Sequence, residues 1–333
     1  MNQWNARRQR AKTHLDHREF EAYLLLSKEN LKLARSLNDR AKEGYSLNDV
    51  GLAYLSCQNY PQALDFFCQA LFVAKELDNT QAEATTLTNL GTVYSHLGQL
   101  SRALEQFYLA LDLFQQLHDQ SGEMSTLNSL ALLFTRLNQP KRALLMHHQV
   151  LQMRRVLNDF SGEAITLNSI GFAYSALGDP EKALNYFEQA LPIQRATKNA
   201  TAEATTLNNI ASTYCDLGHP QQALLLYNQV LLTRQALGDR AGEATTLHNI
   251  AFTYAGLGNR QSALSLYQQA LGLYRELSDR AGEATALMNV GSLYAAAGDK
   301  AQAETHLIAA RALTQQIDHQ PLAEKVQQSL DAL

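Results

Sequence analysis

Charge is scarce in this chain. Asp, Glu, Lys and Arg make up 18% of its 333 residues and nearly cancel, leaving a net charge of −4 at neutral pH. A balance of that kind gives no whole-chain attraction to nucleic acid or to acidic membranes, and both are disfavoured as partners. Long apolar runs are missing too, so no segment reads as a membrane span. The opening MNQWNARRQRAKTHLDH is basic but is not followed by the hydrophobic stretch of a secretory signal. Cysteine is limited to Cys57, Cys68 and Cys215, an odd set without Cys-x-x-Cys spacing, which fits a reducing cytoplasm. Cys57 stands where equivalent positions carry leucine, and core packing is expected for it. Also absent are a Gly-rich phosphate loop, a nucleophile motif, metal-spaced ligands and carboxylates paired for catalysis. The expectation is a non-enzymatic, cytoplasmic protein with no cofactor, metal or small-molecule substrate.

What fills the sequence is a step of forty. Leu47 returns as Leu87, Leu127, Leu167, Leu207, Leu247 and Leu287; Ala63 and Glu43 recur in the same register, without insertion, from residue 41 to residue 320. A fixed period of this size marks stacked supersecondary units, each able to bury its apolar face only against its neighbours.

One unit explains the rest. In GEATTLHNIAFTYAGLG, Leu247, Ile250, Ala251 and Tyr254 fall at i, i+3, i+4 and i+7, one stripe of a helix. Gly258 can end it in the left-handed conformation, as can Gly98, Gly178, Gly218 and Gly298; Asn138 is the next best choice and Gln58 departs from the rule. Asn59, Asp179, Asn259 and Asp299 then stand where a second helix wants an N-cap, with Pro140, Pro180 and Pro220 in its first turn. Ala263, Leu264, Tyr267, Ala270, Leu271 and Tyr274 form the second stripe. Glu283 opens the next helix at the positive end of its dipole. Each unit is an antiparallel helical hairpin.

The small-residue column Gly51, Gly91, Ala131, Gly171, Ala211, Ala251, Gly291 lets helix axes approach, and the column Tyr54, Tyr94, Phe134, Tyr174, Tyr214, Tyr254, Tyr294 fills the space beside it. A bulky residue at Gly171 should overpack by roughly 1–3 kcal/mol. Truncating Tyr174 to alanine should cost on the order of 3–5 kcal/mol.

These columns resemble the tetratricopeptide repeat. Its spaced signature is matched by Leu87, Leu90-Gly91, Tyr94, Ala103, Phe107 and Ala110. The departure is length, forty residues per unit where about 34 is usual. The variant looks like the repeats of the LGN/Pins group of signalling scaffolds and of bacterial multi-repeat proteins, some fused to CHAT-type domains; no such fused domain is visible. The resemblance implies an all-α solenoid of helical hairpins forming a right-handed superhelix, with first helices lining the concave face. It also implies protein binding.

The organisation expected is a degenerate N-terminal repeat or cap over 1–40, seven units (41–80, 81–120, 121–160, 161–200, 201–240, 241–280, 281–320) and a capping helix over 321–333. Residues 18–40 keep the second-helix register. In residues 3–17, Arg7, Arg10 and His14 occupy core columns, which reads as a polar cap or a frayed end. Pro321 can start the last helix, with Val326, Leu330 and Leu333 inward.

Carried onto this chain, the family's concave positions include Asn48, Asn128, Leu132, Asn168, Phe172, Asn208, His248 and Phe252, with Thr88 and Met288 in the same row. The face is amide, hydroxyl and apolar, and it lacks the Lys and Arg of a carboxylate clamp. An extended or helical peptide fits it, held by asparagines and set against Leu132, Phe172 and Phe252; solvated amides are the other reading. Asn89, Asn209, Asn249 and Asn289, one residue on, are expected to be structural. The glutamate row is expected to pair with Arg40, Arg240 and Arg280 and to bond backbone between repeats. Arg136, Lys141, Arg142, Arg154 and Arg155 make the 121–160 unit basic, either a solvated patch or a dock for an acidic partner. His147-His148 is a weak metal site, because adjacent helical residues point apart. Pro192 should kink its helix, and the turn ATKNATAE looks unusual. The functional reading is a scaffold or adaptor binding a protein or peptide segment; the alternative is a ligand- or peptide-sensing bacterial regulator.

Overall fold

The computed structural model describes residues 3–317 and 319–333. Every regular element among them is an α-helix. The chain divides into two compact units, Met1–Asn158 and Asp159–Leu333.

The first unit holds α1 (Gln3–Asp16), α2 (Phe20–Ser36), α3 (Arg40–Ser56), α4 (Tyr60–Glu76), α5 (Thr80–His96), α6 (Leu100–Gln116), α7 (Gln120–Arg136) and α8 (Pro140–Val156). The second holds α9 (Phe160–Ala176), α10 (Pro180–Ala196), α11 (Ala200–Asp216), α12 (Pro220–Leu237), α13 (Arg240–Gly256), α14 (Arg260–Glu276), α15 (Arg280–Ala296), α16 (Lys300–Gln316) and α17 (Gln320–Asp331). Within each unit consecutive helices pack together, and alternate first helices such as α3 and α5, or α11 and α13, also touch.

One turn, used throughout, explains the regular spacing. After α3 the Gln58 N–H donates to the Leu55 carbonyl and the Asn59 N–H to the Tyr54 carbonyl, both at 2.9 Å. These bonds satisfy the orphan carbonyls of the ending helix. Gln58 sits between them at φ 59°. The Asn59 side chain then accepts from the Gln62 N–H and starts α4. Gln58 therefore keeps the geometry although it is not glycine, and Asn138 does the same at φ 53°.

The same left-handed position closes the second helices, at Asn38, Asp78, His118, Lys198 and Ser278 among others. The caps that follow are Asp39, Asn79, Asp119, Asn199, Asp239 and Asp279, each accepting from a first-turn N–H. Sequence reasoning credited the start of the first helices to the glutamates and missed these caps. The turn in ATKNATAE is a correction as well. It is the common one, with Lys198 at φ 54° and the Asn199 side chain accepting from Ala202 N–H at 3.0 Å. Helix α10 continues through Pro192 to Ala196.

Helices cross where a small residue meets a ring. A Cβ added to Gly51, Gly91 or Gly171 would lie 2.6–2.7 Å from the ring of Phe67, Phe107 or Phe187. Those rings are wholly buried. Where alanine replaces the glycine the partner changes: Ala211 packs in one cluster with Tyr227, and Ala251 with Tyr267. The neighbouring aromatic column is looser than expected. Tyr174 is half-buried, stacked on Tyr186 at 5.4 Å between ring centres, so its truncation should cost nearer 1–3 kcal/mol than the value for a fully buried ring.

One further expectation is corrected. Cys57 is exposed, because its column lies at the helix C-cap, where Leu177 and Leu257 are also exposed. The segment before residue 17 forms a helix, α1, which packs through Trp4 and Ala11 in place of the missing leucines. Trp4 Nε1 donates to Ser46 Oγ at 3.0 Å. At the other end α17 buries Leu322 and Val326.

Candidate functional site

Adjacent first helices are sewn together by side chains one repeat plus one residue apart. Asn89 Nδ2 donates to Asn48 Oδ1 at 2.9 Å, and Asn249 Nδ2 to Asn208 Oδ1 at 3.2 Å. The Asn289 amide meets His248 Nε2 at 3.1 Å. Arg8 and Asp49 make the charged version of the same pair, two bonds of 2.6 and 3.0 Å. Burial is the largest influence and lowers the Arg8 pKa, but the hydrogen bond and charge of Asp49, with smaller help from Tyr23 and Tyr45, together hold the guanidinium above its ordinary value. A second set spans one repeat minus two residues. Thr88 and Thr126 hydroxyls lie 3.0 Å apart, and Thr206 donates to Asn168 Oδ1 at 3.0 Å. Neutral pairs of this kind contribute about 0.5–1.5 kcal/mol each.

These bonds decide what the row can offer a partner. Asn208 is buried and its Oδ1 is occupied. Asn168 spends its Nδ2 on the Ala164 carbonyl and its Oδ1 on Thr206. Asn48 is half-buried with its Oδ1 engaged. His248 lies edge-on to Tyr267 and Tyr274, and burial lowers its pKa to about 4. Asn128, on α7, is half-buried.

The apolar members stand out instead. Leu132 is 65% exposed on α7, while Phe172 on α9 and Phe252 on α13 are each 61% exposed. Ile165, seven residues before Phe172 and so two turns away on the same helix face, is 59% exposed. Sequence reasoning missed Ile165. The signal was present, since the same column carries Thr85, Thr205, Thr245 and Thr285.

The basic residues do not gather in one place. Arg136 ends α7 and donates to Ser95 at 2.8 Å. Lys141 and Arg142 begin α8, Arg142 lying 5.6 Å over the Phe134 ring. Arg154 and Arg155 are at the far end of α8, roughly 20 Å away at 1.5 Å per residue. His147 is buried in the column of Phe107 and Phe187. Burial, then the charges of His148 and Arg154, lower its pKa to about 4. Among the described residues no three His, Cys, Asp or Glu are placed to hold a metal ion.

The glutamates do pair, chiefly eight residues back. Arg35 donates to Glu43 at 2.8 Å, Arg195 to Glu203 at 2.7 Å and Arg275 to Glu283 at 2.6 Å, with Gln115 and Gln235 serving Glu123 and Glu243. Of the expected arginines, Arg40 and Arg240 also bind their glutamates, whereas Arg280 bonds Gln316. For Glu43, Glu123, Glu203, Glu243 and Glu283 the partner is thus a side chain eight residues back on the preceding helix, where a backbone group was expected. Burial raises the Glu43 pKa, yet the bonds from Arg35 and Arg40 leave it below its ordinary value.

Similar proteins place this architecture. The quorum sensor NprR of B. thuringiensis, in its apo form, superposes with a TM-score of 0.75 at 16% identity, over 93% of this chain and 86% of that one. A signal-transduction ATPase with a tetratricopeptide repeat sensor, from Pyrococcus horikoshii, gives 0.73 at 12% identity, over 98% of this chain and 50% of that one. A Rap protein complexed with competence and sporulation factor gives 0.61 at 15% identity, over 97% and 99%. Likeness at such identities is likeness of fold. No curated protein matches in sequence. The family profile described as tetratricopeptide repeat matches residues 82–156, 162–236 and 242–316, and the chain belongs to the tetratricopeptide-repeat family.

Proposed function

We propose that the chain is a non-enzymatic interaction module that binds a protein or peptide segment along its first helices, in the cytoplasm. The observation that carries this is the set of large apolar side chains left in water on otherwise polar helix faces, Ile165, Phe172 and Phe252 in the second unit and Leu132 in the first. Aromatic side chains are the kind of anchor on which recognition surfaces concentrate binding energy. Helices α9 and α13 are two packing steps apart, roughly 20 Å. An extended segment of about six residues spans that length. In the first unit Asn128 is the amide we assign to the peptide backbone, beside Leu132. Asn48, Asn168, Asn208 and His248 support the row by fixing neighbouring helices.

A peptide-sensing regulator is the second reading. It draws on the likeness to a quorum sensor and to a Rap protein solved with competence and sporulation factor. Compaction in solution scattering on adding a selected peptide favours it over a rigid scaffold. Selection from a random peptide display library tests the common ground. Peptides enriched on the wild type should carry apolar or aromatic residues and should lose binding to Phe172→Ala/Phe252→Ala. Enriched peptides that bind both proteins equally would remove the proposal.

A further inference from the structure

In the first unit a pocket of about 180 Å³ opens between α3 and α5, over the end of α4. Its floor is Ala70, Val73, Ala74 and Thr86, all buried, and Tyr45, Gln81 and Thr85 stand exposed at its rim. Other repeats fill the equivalent position from within, with buried Gln194, Arg234 and Thr314 in three of them and a ring in two. One repeat on, the position of Ala74 is held by Phe114, buried among Ala84, Leu87 and Ala110. A Cβ on Gly122 would come within 2.2 Å of its ring. Near the other end Tyr274 occupies the same position, packed with Ala244 and Ala270 and pressed against Gly282. Shifted back by whole repeats, the neighbours of both rings are Gly44, Ala70 and Ala82, which line the pocket. The cavity is a space that a ring fills in two repeats, and Gln194 or Arg234 in others, and that Ala74 leaves open. Its size suits one, since an apolar cavity of about 150 Å³ binds benzene.

The rim specifies a neutral occupant. Arg8, the charged group in the lining, is held by Asp49 through two hydrogen bonds and lies 5.1 Å over the Tyr45 ring. Its charge is already matched. Asn79 donates to the Tyr45 hydroxyl at 3.2 Å, which fixes the wall.

We propose that this pocket receives the ring of a phenylalanine or tyrosine side chain from a bound peptide, in the place that Phe114 and Tyr274 fill from within their own repeats. The assignment of a peptide as the carrier rests on the binding function proposed above; the fit of a ring does not.

The test is methyl NMR on the full chain with labelled alanine, titrated with N-acetyl-phenylalaninamide and, separately, N-acetyl-alaninamide. The phenylalanine amide should shift the methyls of Ala70, Ala74 and Ala82 along a saturating curve, at least tenfold tighter than the alanine amide. Ala74→Phe/Ala82→Gly copies the Phe114–Gly122 pair and should abolish the binding at least tenfold while melting no lower than wild type. Ala74→Leu, which fills the space from its floor, should give the same loss and serves if the pair does not fold. A linear response, equal affinity for the two amides, or undiminished binding in the filled variants would overturn the proposal. None of those results touches peptide capture through Phe172 and Phe252. Capture undiminished by Phe172→Ala/Phe252→Ala, with the amide still bound, would instead count against the groove and leave the pocket standing.

Discussion

At the scale of single residues, His147 carries the clearest consequence. It occupies a buried column that holds Phe107 and Phe187 elsewhere, and burial brings its pKa from 6.5 to about 4. His248 is lowered to the same value by burial. The folded state therefore binds fewer protons than the unfolded one between these limits. Stability is complete above about pH 6.5 and declines as pH falls toward 4, by up to about 3 kcal/mol per histidine. Urea unfolding at pH 7.5 and pH 5 should show the decline. His96, His148 and His306 are lowered by burial as well, so Ala131→Gly/His147→Phe, which copies Gly91 and Phe107, should remove part of it; an unchanged pH dependence would mean that His147 is not protonated on unfolding in this range. The alanine-to-glycine change matters because a Cβ at the equivalent Gly91 would lie 2.7 Å from the Phe107 ring. For the same reason Gly171→Ala should lower stability by roughly 1–3 kcal/mol in denaturant titration.

At the scale of elements, the turn is the unit that repeats most faithfully. Asp279 accepts from the Gly282 N–H at 2.9 Å to start α15, so Asp279→Ala should cost about 1 kcal/mol. Ser278, one residue earlier, has φ 56°, and Ser278→Gly should stabilise by about 0.5–1 kcal/mol. Thermal melts of the two variants should move in opposite directions. Arg195→Ala, by contrast, removes an exposed partner of Glu203 and should change stability by less than about 1 kcal/mol.

Much of this scale was legible in the sequence, because helix periodicity and turn residues are local signals. The stripes Leu247, Ile250, Ala251 and Tyr254 predict a buried helix face, and three of those four are buried. The caps of the first helices were open to reading at Asp239 and Asp279 but were hidden by the glutamate row four residues on. What could not be read was the fate of the asparagines. Whether Asn208 faces a peptide or Asn249 depends on how neighbouring repeats stack, and a period fixes only that they do. Cys57 misled for a related reason, since a leucine column at a helix end need not be a core column. The pocket at Ala74 needed the same three-dimensional comparison, although the pairing of Phe114 with Gly122 and of Tyr274 with Gly282 was written in the sequence.

For the molecule as a whole, the low charge and the apolar side chains on first helices lead to one expectation about binding. Affinity for a peptide selected on this protein should change little between 50 and 500 mM salt, since shortening the screening length from about 14 to about 4 Å acts mainly on exposed charges. A steep loss with salt would point to the arginines and lysines at the two ends of α8. Repeat proteins derive stability from neighbour contacts, so the polar pairs between first helices and the exposed aromatics should divide the work between holding the array and recognising a partner.

That division is tested by titrating one selected peptide, by calorimetry, into wild type, Phe172→Ala/Phe252→Ala and Asn208→Ala/Asn249→Ala, with a melting curve for each. The phenylalanine variant should lose at least tenfold in affinity and keep its melting temperature. The asparagine variant should melt lower and bind within about threefold of wild type, a difference of less than about 1 kcal/mol. The opposite pattern, with affinity lost at the asparagines and kept at the phenylalanines, would contradict the account.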